Sequence, residues 1–252
     1  FIFIKQGLKA TLVRMLIKTM YKFALGGKNS HVIVQNPDDK AVLDSIVKVP
    51  ITLIRGSGVD LSQYEYKEEN NGNVKVSMAC RLLKDKGVFE YIDVVKILKQ
   101  KLPNVEFELY GDIDIHNPAS LTSDDVEKIK KDGFVNVYGF SIDIAKVFCD
   151  SNIVVLPSYR EGLPKVLIEA AACGRAVVTT DVPGCRDAIE PNVTGLLCEV
   201  KDIESLARMI EKLIIDEKLR NRMGYEGRKL AEQEFDINKV VEKHFDIYEG
   251  RI

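Results

Sequence analysis

Leu156-Pro157-Ser158-Tyr159-Arg160-Glu161-Gly162-Leu163-Pro164-Lys165-Val166-Leu167-Ile168-Glu169-Ala170 carries an apolar strand through a polar loop into a helix. The strand begins at Ile153 and the loop holds Glu161 and Gly162. The helix opens near Pro164, because a missing N–H costs nothing in a first turn. Free amides at such an opening can hold an anion. A helix starting there puts Glu169 in its second turn, while Glu161 stays in the loop at the same end of the strand. Two carboxylates then approach one ligand from different sides. Each accepts hydrogen bonds from neighbouring hydroxyls, as a ribose or a hexose offers, and the adjoining amides suit a phosphate.

Outward from this stretch, short apolar runs alternate with helical periodicity. Strands are expected at Val74 to Ala79, Val105 to Tyr110, Val135 to Tyr138, Ile153 to Leu156 and Ala176 to Thr179. Helices are expected at Val88 to Lys101, Ser123 to Lys131, Ile142 to Cys149 and Lys165 to Cys173. Such alternation implies an α/β domain with a doubly wound parallel sheet, covered on both faces, and ligands beyond the carboxyl ends of its strands. Asp202 to Ile252 reads as mostly helical, with breaks near Asp216 and Phe235.

Upstream, Leu8, Leu12, Met15, Leu16, Met20 and Phe23 recur at helical spacing between Ile4 and Leu25, and Gly26-Gly27 ends that helix. His31 to Gln35 is a β-branched strand, Asn36-Pro37-Asp38 opens a helix, and Ile51 to Ile54 is a second short apolar run. Tyr64 to Asn73 is polar, ends in Asn-Gly-Asn, and reads as a linker between domains.

The 252 residues are 46% apolar and 29% charged, with no apolar run approaching the roughly 18 residues that span a bilayer. Phe1-Ile2-Phe3-Ile4 has neither an initiator methionine nor the features of a secretory signal, so a longer parent chain is expected. The five cysteines form no CxxC pair, which predicts reduced thiols in a cytoplasmic protein and gives the sequon Asn192-Val193-Thr194 no consequence. Six basic residues, Lys5, Lys9, Arg14, Lys18, Lys22 and Lys28, precede the first acidic one, Asp38. Two readings stand for that basic helix: a face resting on a membrane, or the solvated side of a helix belonging to a further domain. A net acidic remainder without aromatic-basic motifs argues against nucleic acid as a partner. No strand leads into G-x-G-x-x-G, which argues against a nicotinamide dehydrogenase. His31, His116 and His244 are scattered and read as structural or exposed.

Glu161 and Glu169 enclose seven residues, and Gly162-Leu163-Pro164 and Ala170-Ala171-Ala172-Cys173-Gly174 surround them. This segment resembles the E-x7-E motif of retaining GT-B glycosyltransferases of family 4. Arg175 to Gly184 and Asn192-Val-Thr-Gly-Leu-Leu resemble the strand, loop and turn that come next in that family. Arg81-Leu82-Leu83-Lys84-Asp85-Lys86-Gly87 resembles its R-x4-K-G segment, and Gly56-Ser57-Gly58-Val59-Asp60 its N-G-V-D hinge, with Ser57 where asparagine is usual. The resemblance runs from about Ser30 to the C-terminus.

This resemblance implies a GT-B type fold: a Rossmann-like nucleotide-sugar domain over 74–235, preceded by a partial N-terminal domain. Residues 1–50 would be the end of an acceptor domain, 51–73 a hinge, and 236–252 a helix returning toward that first domain. It implies transfer from a nucleotide diphosphate sugar, expected to be UDP-linked, to a saccharide or lipid-linked acceptor, with retention and no metal cofactor. Arg81 and Lys86 would hold the diphosphate, Glu169 the ribose and Glu161 the transferred sugar. Amides of Gly162, Leu163, Pro164's neighbours Lys165 and Val166 would assist, and Gly139 and Phe140 would face the nucleobase, although Phe140 reads equally as a core aromatic. Asp112-Ile113-Asp114 matches a metal motif by letters, but is expected in a loop away from the Glu161 cluster. A non-catalytic nucleotide-sugar-binding subunit and a GT-B epimerase remain open beside the transferase.

Overall fold

The computed structural model describes residues 7–27, 29–69 and 72–251. Ile4 and Lys5 of the expected first helix, and Lys28 of the basic set, lie outside the described residues. Helix α1 (Leu8–Leu25) leads to β1 (Val32–Val34), α2 (Pro37–Asp44) and β2 (Ile51–Leu53). β1 and β2 pair in parallel as a separate two-stranded sheet, so Ile51–Leu53 is bonded to the N-terminal unit rather than to the larger sheet downstream. α2 starts where expected because Asn36 caps it, its side chain accepting from the Asp39 amide, with Pro37 at the first helical position. On α1, Leu12, Met15, Leu16, Met20 and Phe23 are exposed. Among the described residues, no helix is long and apolar enough to cross a membrane.

The larger unit comprises β3 (Lys75–Ala79), α3 (Val88–Lys101), β4 (Glu106–Tyr110), α4 (Ser123–Asp132), β5 (Asn136–Gly139), α5 (Ile144–Asp150), β6 (Ile153–Leu156), α6 (Lys165–Ala172), β7 (Ala176–Thr180), β8 (Gly195–Cys198), α7 (Ile203–Ile215) and α8 (Glu217–Leu230). A turn of π-helix, Ala231–Phe235, and α9 (Ile237–Tyr248) complete the chain. All six strands are parallel, in the order β5-β4-β3-β6-β7-β8. The chain works outward from β3 in one direction, then returns beside it and works outward in the other. β3 and β6 therefore flank a topological switch point, where loops diverge and leave a crevice.

Every residue of β6 and β7 is buried, as continuous apolar runs require when helices cover both faces. α3 packs on α7, while α5, α6 and α8 pack together in a second layer. Two expectations shift. α5 starts at Ile144 rather than Ile142, since the Asp143 side chain caps the Lys146 amide (2.9 Å) and leaves Ile142 in solvent. β8, not foreseen as a strand, extends the turn at Asn192 to Thr194 and pairs with β7.

The two crossings between units lie side by side. The Val59 N–H donates to Phe235 O (2.8 Å) and the Ile237 N–H to Val59 O (3.0 Å). Tyr64 to Glu69, inside the stretch read as a linker, lies against the larger unit. Arg175 is fully buried at the start of β7 and donates to the carbonyls of Cys173, Ser151 and Lys67. Glu69 pairs with the buried Arg220 (2.8 Å).

Candidate functional site

The loops after β3 and β6 meet at the switch point, and backbone contacts stitch them together. Asp85 O, in the 3-10 turn Lys84–Lys86, accepts from the Tyr159 amide (2.9 Å) and the Ser158 hydroxyl (3.1 Å). The Tyr159 hydroxyl donates to Glu90 Oε1 (2.5 Å) on α3. These contacts set Lys86 opposite Glu161, with Nζ to Oε1 at 2.5 Å. The pair is mostly out of solvent, at 20% and 12% side-chain exposure, so its attraction is only weakly screened. On the far side, the Glu161 amide donates to Pro183 O (3.2 Å).

Glu169 projects from the second turn of α6 and is buried. Lys165, one turn back and exposed, stands 3.6 Å from its carboxylate. The buried Tyr64 phenol faces Glu169 too; burial first, then that carboxylate, raises its pKa above the usual phenol range. Glu169 lines a cavity of about 640 Å³ together with Arg81, Val166, Phe140, Asp114 and His116.

The residues singled out from the sequence fall into two adjoining groups and a border. Arg81, Glu169, Val166 and Phe140 share the cavity. Lys86 and Glu161 form the adjacent pair, and Glu161 is not among the cavity's lining residues. Pro164 is the N-cap of α6 and Leu163 is buried behind it, while Gly162 and Lys165 are exposed. Gly139 ends β5 with φ +73°, its carbonyl taken by the Gly111 amide (2.7 Å), and it lines a neighbouring hollow rather than the cavity. Phe140 is 73% exposed, so it is no core aromatic.

Asp112 to Asp114 lies elsewhere than its sequence suggests. Expected away from the site, this loop lines the same cavity as Glu169 and Arg81. It follows β4, the immediate neighbour of β3, so the loops after the two strands emerge together. Asp114 ion-pairs with Arg81 at 3.3 Å. Among the described residues, no group of three or more His, Cys, Asp or Glu is placed to hold a metal ion. His116, read as merely structural or exposed, is at the cavity as well, and Tyr64 came with no local signal.

Cations and carboxylates paired at the switch point of a doubly wound domain can, by their chemistry, meet an anionic ligand that also carries hydroxyls. Residues 63–230 match the glycosyl transferases group 1 family, and the chain belongs to that family. It is 30% identical to the N,N'-diacetylbacillosaminyl-diphospho-undecaprenol alpha-1,3-N-acetylgalactosaminyltransferase of Campylobacter jejuni, over 98% of this chain and 67% of that protein. It is 23% identical to the UDP-Gal:alpha-D-GlcNAc-diphosphoundecaprenol alpha-1,3-galactosyltransferase of Escherichia coli, over 96% of this chain and 66% of that one. The chain thus spans about two thirds of these relatives. Sucrose-phosphate synthase from Thermosynechococcus elongatus superposes with a TM-score of 0.81 at 23% identity, covering 94% of this chain and 61% of that one. The fold is the Rossmann-like α/β architecture of GT-B glycosyltransferases.

Proposed function

We propose that this chain is the donor-binding portion of a glycosyltransferase that moves a sugar from a UDP-linked donor to a saccharide on a lipid diphosphate, with retention of configuration. The observation that carries this reading is the meeting, at one switch point, of the Lys86–Glu161 pair with the cavity of Glu169 and Arg81. Arg81 and Lys86 hold the diphosphate, whose negative charge grows as the glycosidic bond breaks, and fixed cations favour that change. The Glu169 carboxylate accepts from the ribose hydroxyls and Glu161 from the transferred sugar. Backbone amides of Gly162 to Val166 assist at the phosphates, and Phe140 with the Gly139 turn borders the base.

The Campylobacter and Escherichia relatives are both named for diphospho-undecaprenol acceptors, and the latter for a UDP-linked donor, which supports the acceptor and donor classes. With the diphosphate charge met by side-chain cations, transfer is proposed to be metal-independent. We take residues 1–50 as the end of the acceptor domain and 236–252 as a helix returned to it. A lipid-linked acceptor puts the enzyme in the cytoplasm at the inner membrane face, with the basic α1 as the element nearest that surface.

The test is calorimetric titration with UDP, GDP, ADP and NAD, beside Glu169→Ala. Selective UDP binding that weakens about tenfold or more in the variant is expected, the loss of a charge-assisted hydrogen-bonding group. Unchanged affinity in a folded Glu169→Ala chain refutes the ribose assignment; preference for NAD refutes the donor class.

A further inference from the structure

Three sets of contacts hold the loop Tyr159–Gly162. Two arise within the larger unit, from Asp85 and Glu90 on one side and from Pro183 on the other. The third comes from the small unit. Asn36 is fully buried, and its Oδ1 accepts from the Asp39 amide at 2.8 Å as the cap of α2. Its Nδ2 donates to Asp39 Oδ2 (2.9 Å) and also to the carbonyl of Gly162 (2.7 Å), 126 residues further along the chain. Asp39 Oδ1 in turn meets Arg160 Nη2 at 2.5 Å. A Cβ on Gly162 would stand 2.9 Å from Gln35 Oε1, so the loop and the start of α2 are in direct contact.

The residue type at this cap is informative. Ser, Thr and Asp cap helices as well as Asn does, but only Asn joins an acceptor for the cap to two N–H donors on one short planar group. Here both donor directions are used, and one of them crosses between units. A cap needed for α2 alone would have no use for the second.

We propose that Asn36 is a positioning residue for Glu161. By holding the Gly162 carbonyl it lets the small unit set the placement of the loop in which Glu161 faces Lys86. A movement of the small unit is thereby passed to the sugar-binding carboxylate through one hydrogen bond and the Asp39–Arg160 ion pair. The functional half of this rests on the reading that Glu161 binds the transferred sugar.

The test uses the chain as it is, with two variants. Asn36→Ser keeps a good cap but is too short to reach Gly162 O. Asn36→Thr keeps a capping hydroxyl, likewise has no N–H to reach Gly162 O, and adds no charge beside Asp39. In both, hydrogen exchange at the Glu161 amide should rise about tenfold, the loss of one net hydrogen bond of about 1.4 kcal/mol, with β6 and β7 amides unchanged. The gain in affinity of UDP-glucose, UDP-galactose or UDP-N-acetylgalactosamine over UDP should shrink about tenfold, while UDP affinity itself moves less than about threefold. Wild-type exchange at Glu161 in both folded variants reduces Asn36 to a cap and overturns the proposal. Raised exchange with an unchanged sugar increment overturns the functional half. If the wild-type chain binds neither UDP nor any of the three UDP-sugars, the donor reading fails by itself, and the exchange comparison still decides the Asn36 contact.

Discussion

Gly184 offers a sharp perturbation of the same loop from its other side. It sits at φ +82°, and a Cβ built on it would lie 2.4 Å from Glu161 O and 2.6 Å from Gly162 O. Ordinary contact begins at 3.4 Å, so Gly184→Ala pushes the Glu161–Gly162 backbone away by roughly 1 Å, a misplacement of the size that costs about a hundredfold in catalysis. The backbone strain itself costs about 1–2 kcal/mol. Gly133 provides the matched control: it has φ +71° at the end of α4, and its nearest neighbour to a new Cβ is Lys131 O at 4.0 Å. Gly133→Ala therefore carries the strain without the collision. Both variants should lose roughly 2–8 °C of melting temperature by scanning calorimetry. Only Gly184→Ala should also lose affinity for a UDP-sugar, by at least about tenfold in titration. Wild-type affinity in Gly184→Ala, with a melting shift matching the control, would refute the claim that this loop's placement governs donor binding.

The same geometry sets three further outcomes. Lys86→Gln leaves the Glu161 carboxylate, at 12% exposure, without its cation; UDP affinity should fall roughly tenfold to a hundredfold, with up to about 3 kcal/mol lost from stability in urea titration. Arg175→Ala strips the donor from three carbonyls at the end of the sheet away from the cavity. A loss of about 3–5 kcal/mol of stability is expected, with UDP affinity per folded molecule unchanged. Burial pushes the thiol of Cys80 up to about 12, that of Cys185 to about 11 and that of Cys198 to about 12, so at pH 7.5 fewer than roughly one in a thousand of each is thiolate. Iodoacetamide followed by mass spectrometry should label the buried Cys185 and Cys198 slowly in the native chain, the half-buried Cys80 on the cavity wall sooner, and all five cysteines at once after unfolding; native labelling of Cys198 at the unfolded rate contradicts its burial.

Legible in the sequence was whatever a local period or spacing encodes. The runs Ile153-Val154-Val155-Leu156 and Ala176 to Thr180 are apolar throughout because both sheet faces are covered, and they read as strands without help. β8 escaped because its four residues open with glycine and directly follow a turn, which resembles loop composition. That Glu161, Glu169, Arg81 and Lys86 gather at one end of the sheet was legible, since each lies in a motif of a few residues that follows a strand. Asn36 was legible as a cap but not as a partner of Gly162, because no period relates positions 126 residues apart. Asp114 shows an intermediate case. Its letters suggested a metal motif, yet its pairing with Arg81 follows from β4 lying next to β3, which strand order alone would have disclosed.

The two carboxylates differ in a way that bears on the order of events at the site. Glu169 lines the open cavity with an exposed lysine at 3.6 Å and the Tyr64 phenol beside it, and it is held in no short ion pair, so on the proposed reading hydroxyls of an arriving ligand reach its remaining lone pairs. Glu161 is already engaged at 2.5 Å by Lys86. An ammonium has three N–H donors, and one is used there. Lys86 can therefore take a phosphate oxygen with its remaining donors while still holding Glu161, so diphosphate binding need not uncouple the pair. Arg81 differs again, since its contact with Asp114 is longer, at 3.3 Å, and far more exposed than the Lys86–Glu161 pair. On the proposed reading a diphosphate therefore loosens the long, exposed Arg81–Asp114 contact more readily than the short Lys86–Glu161 pair. Asp114→Asn should accordingly free Arg81 and strengthen UDP binding in calorimetric titration, and unchanged affinity would show that Arg81 does not meet the diphosphate.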